Sequence, residues 1–326
     1  MLDYRGAPRN RLIRFVAGRL VLAVITALFV AVVMFLAVRT LPGDPAMNLL
    51  GTNSTPQQRV DLNRAMGLDR PLSMQFVIWL GHVLSGNLGY SFSQGRSVRE
   101  VIVPALDNTL VLGLSASVLA IVIGVVMGNL ATSSRRPVRR ITDWFEAIFL
   151  SAPQYAVALV LMIGFAVVLP VFPAGGLSSR GAVGFTDELW HLILPSVALA
   201  LAPGAQMARS LKTSISSLQS SDLLPALRGR GLSPLRLTVH VHHNALPPMI
   251  TVLGIQVGGM LGGALFIESI FSIPGLGNLV VQSVNLRDYQ LVQAVALVIA
   301  LIFIAVLLTS DLLNVVLDPR IRVSKL

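Results

Sequence analysis

Cysteine is absent from this 326-residue chain, which excludes disulfides, cysteine-based zinc sites and thiol catalysis at once. Charge is scarce too: Asp, Glu, Lys and Arg supply 12% of the residues, against about 25% in an ordinary soluble domain. Lysine stands only at Lys212 and Lys325, and Lys212 follows Ser210 and Leu211. The glycines of a phosphate-binding loop are missing there. What fills the chain is apolar: hydrophobic residues make up 54% and the mean hydropathy is +0.75. This is the composition of a polytopic membrane protein. The formal charge of +10 needs no nucleic acid to explain it, because basic residues in membrane proteins collect in cytoplasmic loops and fix orientation.

Six apolar runs fall at 15–38, 108–131, 144–170, 189–209, 247–271 and 290–312, each near or above the ~20 residues needed to cross ~30 Å of hydrocarbon. An all-α integral membrane fold with six transmembrane helices is expected. The first run exceeds the ~7 to 15 residue core of a signal peptide, and no small-x-small cleavage site precedes Leu41-Pro42. It is read as a retained anchor. Arg5, Arg9, Arg11 and Arg14 precede the first run, Arg135, Arg136, Arg139 and Arg140 lie between the second and third, and Lys212, Arg228, Arg230 and Arg236 lie between the fourth and fifth. The alternate loops hold one basic residue each, Arg180 and Arg287. Both termini, 1–14 and the tail 313–326, are therefore expected in the cytoplasm.

Two regions outside the runs are long. The first, 39–107, is expected on the extracytoplasmic face; its apolar patch Phe76-Val77-Ile78-Trp79-Leu80 is too short to span and reads as an interfacial or packed helix. It is either a small cap or a docking surface for an extracytoplasmic partner. The second, 210–246, is polar, basic and glycine-punctuated. Ser221 and Asp222 suit an N-cap, and Pro225 is tolerated in a first turn. Gly229 and Gly231 then interrupt, and Ser233-Pro234 starts a second helix that should end near His243, before Pro247 and Pro248. Such a loop is either a connector or a helix that fits a groove on a partner.

Other features invite weighing. His240, His242 and His243 resemble a metal cluster, but His242 leaves the face shared by the other two and no carboxylate is near in sequence. No metal is expected, and a polar face toward a partner or headgroups is the better reading. Glu268, near the end of the fifth run, is expensive in a membrane; with Ser269 and Ser272 beside it, a structural hydrogen bond outweighs substrate contact. Gly254 to Gly258 and Gly259 to Gly263 have the spacing that lets helix backbones approach closely. Pro195 and Pro203 should kink the fourth run.

The segment from Asp222 through Arg228, Arg230, Gly231 and Leu232 to Asn244, Ala245, Leu246 and Pro248 resembles the EAA loop of ABC importer permeases, in its oligopeptide, dipeptide, nickel and glutathione branch. Leu41-Pro42-Gly43-Asp44-Pro45, Gly67-Leu68-Asp69-Arg70-Pro71-Leu72, Gly86-Asn87-Leu88-Gly89-Tyr90-Ser91 and Phe172-Pro173-Ala174-Gly175-Gly176 continue the likeness. So do His191-Leu192-Ile193-Leu194-Pro195, Ile267-Glu268-Ser269-Ile270-Phe271, Pro274-Gly275-Leu276-Gly277, Arg287-Asp288-Tyr289 and Asp318-Pro319-Arg320-Ile321-Arg322. The long loop before the second run resembles that of the first permease of the pair in this branch.

The resemblance implies a type I importer fold, with a permease core over 108–320. It also implies a second permease, two cytoplasmic ATPases that carry ATP and magnesium, and an extracytoplasmic solute-binding protein. No catalytic residue or cofactor is expected on this chain. Asp222, Ala226, Arg228, Arg230, Gly231, Leu232, Asn244 and Pro248 become the expected ATPase-coupling residues. Gly254, Gly258, Gly259, Gly263 and Glu268 become the expected path or permease interface. Pro225, Ala226 and Leu227 stand where the family has Glu-Ala-Ala, so the coupling helix is expected to dock slightly differently. Short peptides are the implied cargo, with glutathione, nickel chelates or haem as alternatives. A secondary transporter would be expected to show repeats and paired mid-membrane charges, and a membrane enzyme a convergent acid–base set.

Overall fold

The computed structural model describes residues 9–40, 55–65, 67, 69–178 and 184–317. The motifs Leu41–Pro45 and Asp318–Arg322, together with Leu68 and Arg180, lie outside the described residues. In chain order the elements are α1 (Arg9–Thr40), α2 (Pro56–Ala65), α3 (Leu72–Leu84), β1 (Tyr90–Ser91), β2 (Arg96–Ser97) and α4 (Val98–Ala131). There follow α5 (Arg136–Ser151), α6 (Gln154–Met162), a π-helical stretch (Ile163–Val168), α7 (Phe185–Gln219), α8 (Leu223–Gly229), α9 (Pro234–Ile270), α10 (Leu276–Asn285) and α11 (Tyr289–Leu317).

Helices α1, α4, α7, α9 and α11 are each long and apolar enough to cross a membrane. The third expected run is not one straight helix: α5 and the segment Gln154–Val168 meet at an angle of 110°. Pro153 is the cause. A residue before proline is pushed out of the helical region, and Ala152 is extended at φ −78°, ψ 132°. Hydropathy over 144–170 registers apolar content and is blind to this change of direction.

The chain divides into two compact units. One comprises 1–20, 109–273 and 305–326, the other 21–108 and 274–304. The region expected to stand alone as 39–107 thus shares its unit with α10 and the first half of α11.

In the first unit α7 is the central helix, its span the most buried of those among the described residues. Ala198, Leu199, Ala200, Met207, Leu211 and Ile215 on α7 pack with Leu112, Ala116 and Ala120 of α4 and with Met260, Ala264 and Ile267 of α9. Glycine allows the closest approach. A Cβ added at Gly124 would lie 2.6 Å from Met207 Cβ, and one at Gly128 2.9 Å from Leu211 Cβ. From the other side, a Cβ at Gly204 would lie 2.9 Å from Ile123 Cβ. Small residues at i and i+4 remove the side chains that would hold two backbones apart. This Gly124/Gly128 pair is the packing motif that the sequence reading, drawn to α9, passed over.

The second unit has its own core of Val98, Val101, Ile102, Ala105, Leu276, Leu279, Leu291 and Val295. Phe76 and Trp79 of α3 stack on Phe35 of α1 at ring separations of 5.4 and 5.7 Å, so the short apolar patch is a packed helix. The β1–β2 hairpin is pinned by Asp288, whose Oδ2 accepts from Ser91 Oγ at 2.7 Å, Ser93 Oγ at 2.8 Å and Ser93 N–H at 3.0 Å. Gln290 Oε1 accepts the Tyr90 N–H at 3.0 Å. Two motifs noted separately in the sequence, 86–91 and 287–289, are one structural latch.

Candidate coupling segment

Between α7 and α9 the chain makes a short helix and a glycine turn. Helix α7 closes when Ser221 Oγ donates to the Leu218 carbonyl at 2.7 Å. Asp222 precedes α8 but its side chain makes no capping hydrogen bond, contrary to the N-cap expected at Ser221 or Asp222. The backbone explains this: Asp222 is helical at φ −65°, ψ −6°, whereas a capping side chain needs an extended residue.

The other end of α8 is tied off fully. The Gly231 N–H donates to the Arg228 carbonyl at 2.9 Å and the Leu232 N–H to the Leu227 carbonyl at 3.4 Å. This is the Schellman arrangement, which satisfies last-turn carbonyls and requires a left-handed residue. Gly231 supplies it at φ +76°. A β-branched side chain there would cost on the order of 1–2 kcal/mol or more.

Asp222, Ala226, Arg228, Arg230 and Gly231 are exposed and Leu232 is half-buried. Leu224 packs against the core of the first unit, and Leu223 and Leu227 beside it are half-buried. A short helix is thus anchored by one face and open on the other.

The second helix of the loop does not stop before Pro247. Helix α9 runs unbroken from Pro234 to Ile270, and the predicted end near His243 is corrected accordingly. Proline at 247 and 248 deprives the carbonyls of residues 243 and 244 of their helical donors. Neighbouring turns are reinforced by side chains: Asn244 Nδ2 donates to the His240 carbonyl at 2.8 Å and Thr251 Oγ1 to the Pro247 carbonyl at 3.2 Å. Asn244 and Pro248, expected as coupling residues, are exposed on this continuous helix.

Its first turns also carry Leu235 and Val239, exposed at 76% and 61%. At i and i+4 they form one apolar face. Sequence reasoning missed them; they stand among Leu237 and Val241 in the same stretch, and which of the four are exposed is not written in the sequence. Among the three histidines, His242 is held by its own ring, Nδ1 against the Thr238 carbonyl at 2.8 Å and Nε2 against Asn129 Oδ1 of α4. No set of three metal-ligating side chains converges among the described residues.

The residues expected to share a path separate. Gly254 lies against α11, where an added Cβ would fall 2.6 Å from Ser310 Cβ. At Gly263 it would collide with Gln154 Oε1 of α6 and lie 3.2 Å from Leu199 Cδ1. Gly258 is buried, whereas an added Cβ at Gly259 meets nothing within 4 Å. Gly254 and Gly263 therefore serve packing inside the subunit, and Gly259 alone of this set keeps an open face. Glu268 is fully buried and accepts a 2.7 Å hydrogen bond from Thr109 Oγ1 of α4. The partner is on another helix, whereas the Ser269 hydroxyl turns back to the Leu265 carbonyl.

Comparison with known proteins fixes the family. Residues 120–323 match the family described as binding-protein-dependent transport system inner membrane component, and residues 12–113 match its N-terminal counterpart. The glutathione transport system permease protein GsiC of Salmonella choleraesuis is 35% identical over 313 residues, 95% of this chain and 99% of the relative. The dipeptide transport system permease protein DppB of Alkalihalophilus pseudofirmus is 32% identical over 338 residues, covering 95% and 100%. A solved chain of the MetNI methionine ABC transporter, in inward-facing conformations, shares the fold at TM-score 0.53 and 16% identity, covering 68% of this chain and 97% of that one. The chain therefore belongs to the binding-protein-dependent transport system inner membrane components, and it is a multi-pass ABC transporter permease of the inner membrane.

Proposed function

We propose that this chain is the first permease of a heterodimeric, ATP-driven importer of short peptides, working by alternating access. The observation that carries the coupling role is the exposed α8, closed by the Gly231 turn and flanked by Leu235 and Val239. A rigid helix anchored at one face and open at the other suits a groove on a cytoplasmic ATPase, which supplies ATP and magnesium. Asp222, Ala226, Arg228, Arg230, Gly231 and Leu232 line that contact, with Asn244 and Pro248 farther along α9. The second permease meets the open face around Gly259, and a solute-binding protein delivers cargo from outside. Both termini are cytoplasmic, as the arginine distribution argues. The peptide reading draws on the relatives' names, dipeptide and glutathione, the latter itself a small peptide.

The test is reconstitution with the second permease, the ATPases and the binding protein in proteoliposomes. Uptake of labelled di- and tripeptides that requires ATP and the binding protein is expected. Transport of nickel chelates or haem with none of short peptides would overturn the cargo, uptake of glutathione alone would narrow it to that one peptide, and uptake without the ATPases would overturn the mechanism.

A further inference from the structure

Helix α5 carries a surface that the coupling role leaves unused. Its two acidic residues lie beside Lys212 of α7, whose Nζ is 2.7 Å from Asp143 Oδ1 and 3.8 Å from Glu146 Oε1; Glu146 is buried and Asp143 exposed. Thr142 and Glu146 are buried on that side, and Phe145 stacks on Phe149 at 4.8 Å. What faces outward is different in kind. Ile141, Trp144 and Ile148, at i, i+3 and i+7, form one stripe, with 66%, 69% and 53% of their surface exposed. Around the start of the helix stand Arg135, Arg136, Arg139 and Arg140, all exposed. No ion pair engages them among the described residues.

An apolar stripe with a tryptophan, opposite an arginine-rich face, is the make-up of a helix that lies in the plane of a membrane interface. Two further facts favour lipid over a protein partner. Glu146 is buried and Asp143, though exposed, is ion-paired to Lys212, so the four arginines dominate the charge that α5 offers outward. The helix also turns by 110° into the apolar segment Gln154–Val168, as a helix lying in the plane must if the chain then enters the bilayer. The exposed face of α9 has Leu235 and Val239 with only Arg236 beside them, and so lacks this charge pattern.

We propose that α5 is an interfacial helix whose Ile141–Trp144–Ile148 stripe inserts among acyl chains while Arg135, Arg136, Arg139 and Arg140 bind anionic phospholipid headgroups. Clusters of this size beside a span attract the negatively charged cytoplasmic leaflet. The choice of leaflet rests on the orientation proposed above; the insertion itself does not.

Because the chain has no cysteine, single spin labels can be placed at Ile141→Cys and Ile148→Cys, with Arg139→Cys as an aqueous control. In nanodiscs of phosphatidylcholine with phosphatidylglycerol, the first two labels should collide with oxygen and be shielded from a water-soluble nickel chelate, at a depth of about 5–10 Å. The control should meet the chelate. Replacing all four arginines by glutamine should lower the preference for phosphatidylglycerol among co-purified lipids by at least about fivefold, the factor equal to about 1 kcal/mol.

Labels open to the chelate, or shielded from both reagents as under a protein partner, would overturn the proposal; so would an unchanged lipid preference. A membrane-impermeant thiol reagent applied to intact cells carrying Arg139→Cys reports the side separately. Reaction from outside would overturn the orientation while leaving the depth measurement to stand or fall alone.

Discussion

The two ends of α9 are built for opposite purposes. Over its first turns Leu235, Arg236, Val239, His240 and His243 are exposed, and only Val241 and Ala245 are buried. Over its last turns Gly258, Met260, Ala264, Ile267 and Glu268 are buried, and Gly254 and Gly263 sit in close contact with other helices. At ~1.5 Å per residue the helix is about 55 Å long, and it is continuous between the two ends. A stiff element gripped by the core at one end and open at the other can pass displacement along its length, which is what the proposed coupling to a partner needs. The same sequence stretch therefore tolerates change at one end and resists it at the other.

That contrast can be broken most severely at the core end. Gly263→Leu pushes a branched side chain into Gln154 and Leu199, and overpacking of this kind costs ~1–3 kcal/mol or more. The purified subunit should lose most of its monodisperse yield and melt several degrees lower. A normal melting curve would mean that α6 and α9 are farther apart than described.

Glu268 comes next. Glu268→Ala removes a buried side chain together with the acceptor at 2.7 Å from Thr109 Oγ1, which costs about 1–3 kcal/mol, whereas Glu268→Gln keeps the volume and an acceptor. Thermal melts should rank wild type, Gln and Ala in that order. Equal melts for Gln and Ala would assign the residue's value to its charge, reopening a role in transport.

At the coupling end the damage should appear in transport and spare the fold. Gly231→Val forces φ +76° on a β-branched residue, a strain of about 1–2 kcal/mol confined to an exposed turn. Membrane insertion and the melting point of the subunit should stay near wild type while transport-linked ATP hydrolysis falls several-fold, with Gly231→Asn less affected. Smallest of all is Gly259→Leu. With nothing within 4 Å of an added Cβ, it should change the isolated subunit by less than ~0.5 kcal/mol. Any effect should appear only in co-purification of the second permease, and normal pairing would move that interface to another helix.

How much of this was legible beforehand depends on how local each feature is. The apolar content of the spans, the Gly231 turn and the start of the second loop helix at Ser233-Pro234 are written in short windows, and the turn and that helix start stand where expected. The 110° break at Ala152-Pro153 was also local, but hydropathy averaging over 144–170 concealed it. Pro247-Pro248 misled in the other direction. A pair of prolines is a strong stop signal, yet the helix runs through it between segments that are themselves packed at Val241, Ala245 and Met249.

Other features were invisible because their partners are far apart in sequence. Glu268 meets Thr109, Asp288 meets Ser91 and Ser93, and Gly124 meets Met207. Proximity in sequence to Ser269 and Ser272 said nothing of which helix lies alongside. Likewise, glycine spacing on α9 announced a capacity for close approach without saying which glycine faces the chain's own helices.

The central claim is that the exposed start of α9, with α8, is the surface through which ATP-driven closure reaches the membrane helices. The absence of cysteine permits a direct measurement: Val239→Cys on this chain, paired with single cysteines along the facing groove of the ATPase, in the assembled importer. The account predicts rapid disulfide cross-linking under mild oxidation, loss of peptide uptake on cross-linking, and recovery of uptake after reduction. A transport-competent complex in which this position reacts freely with a soluble thiol reagent, yet forms no cross-link to the ATPase with or without ATP, would contradict it.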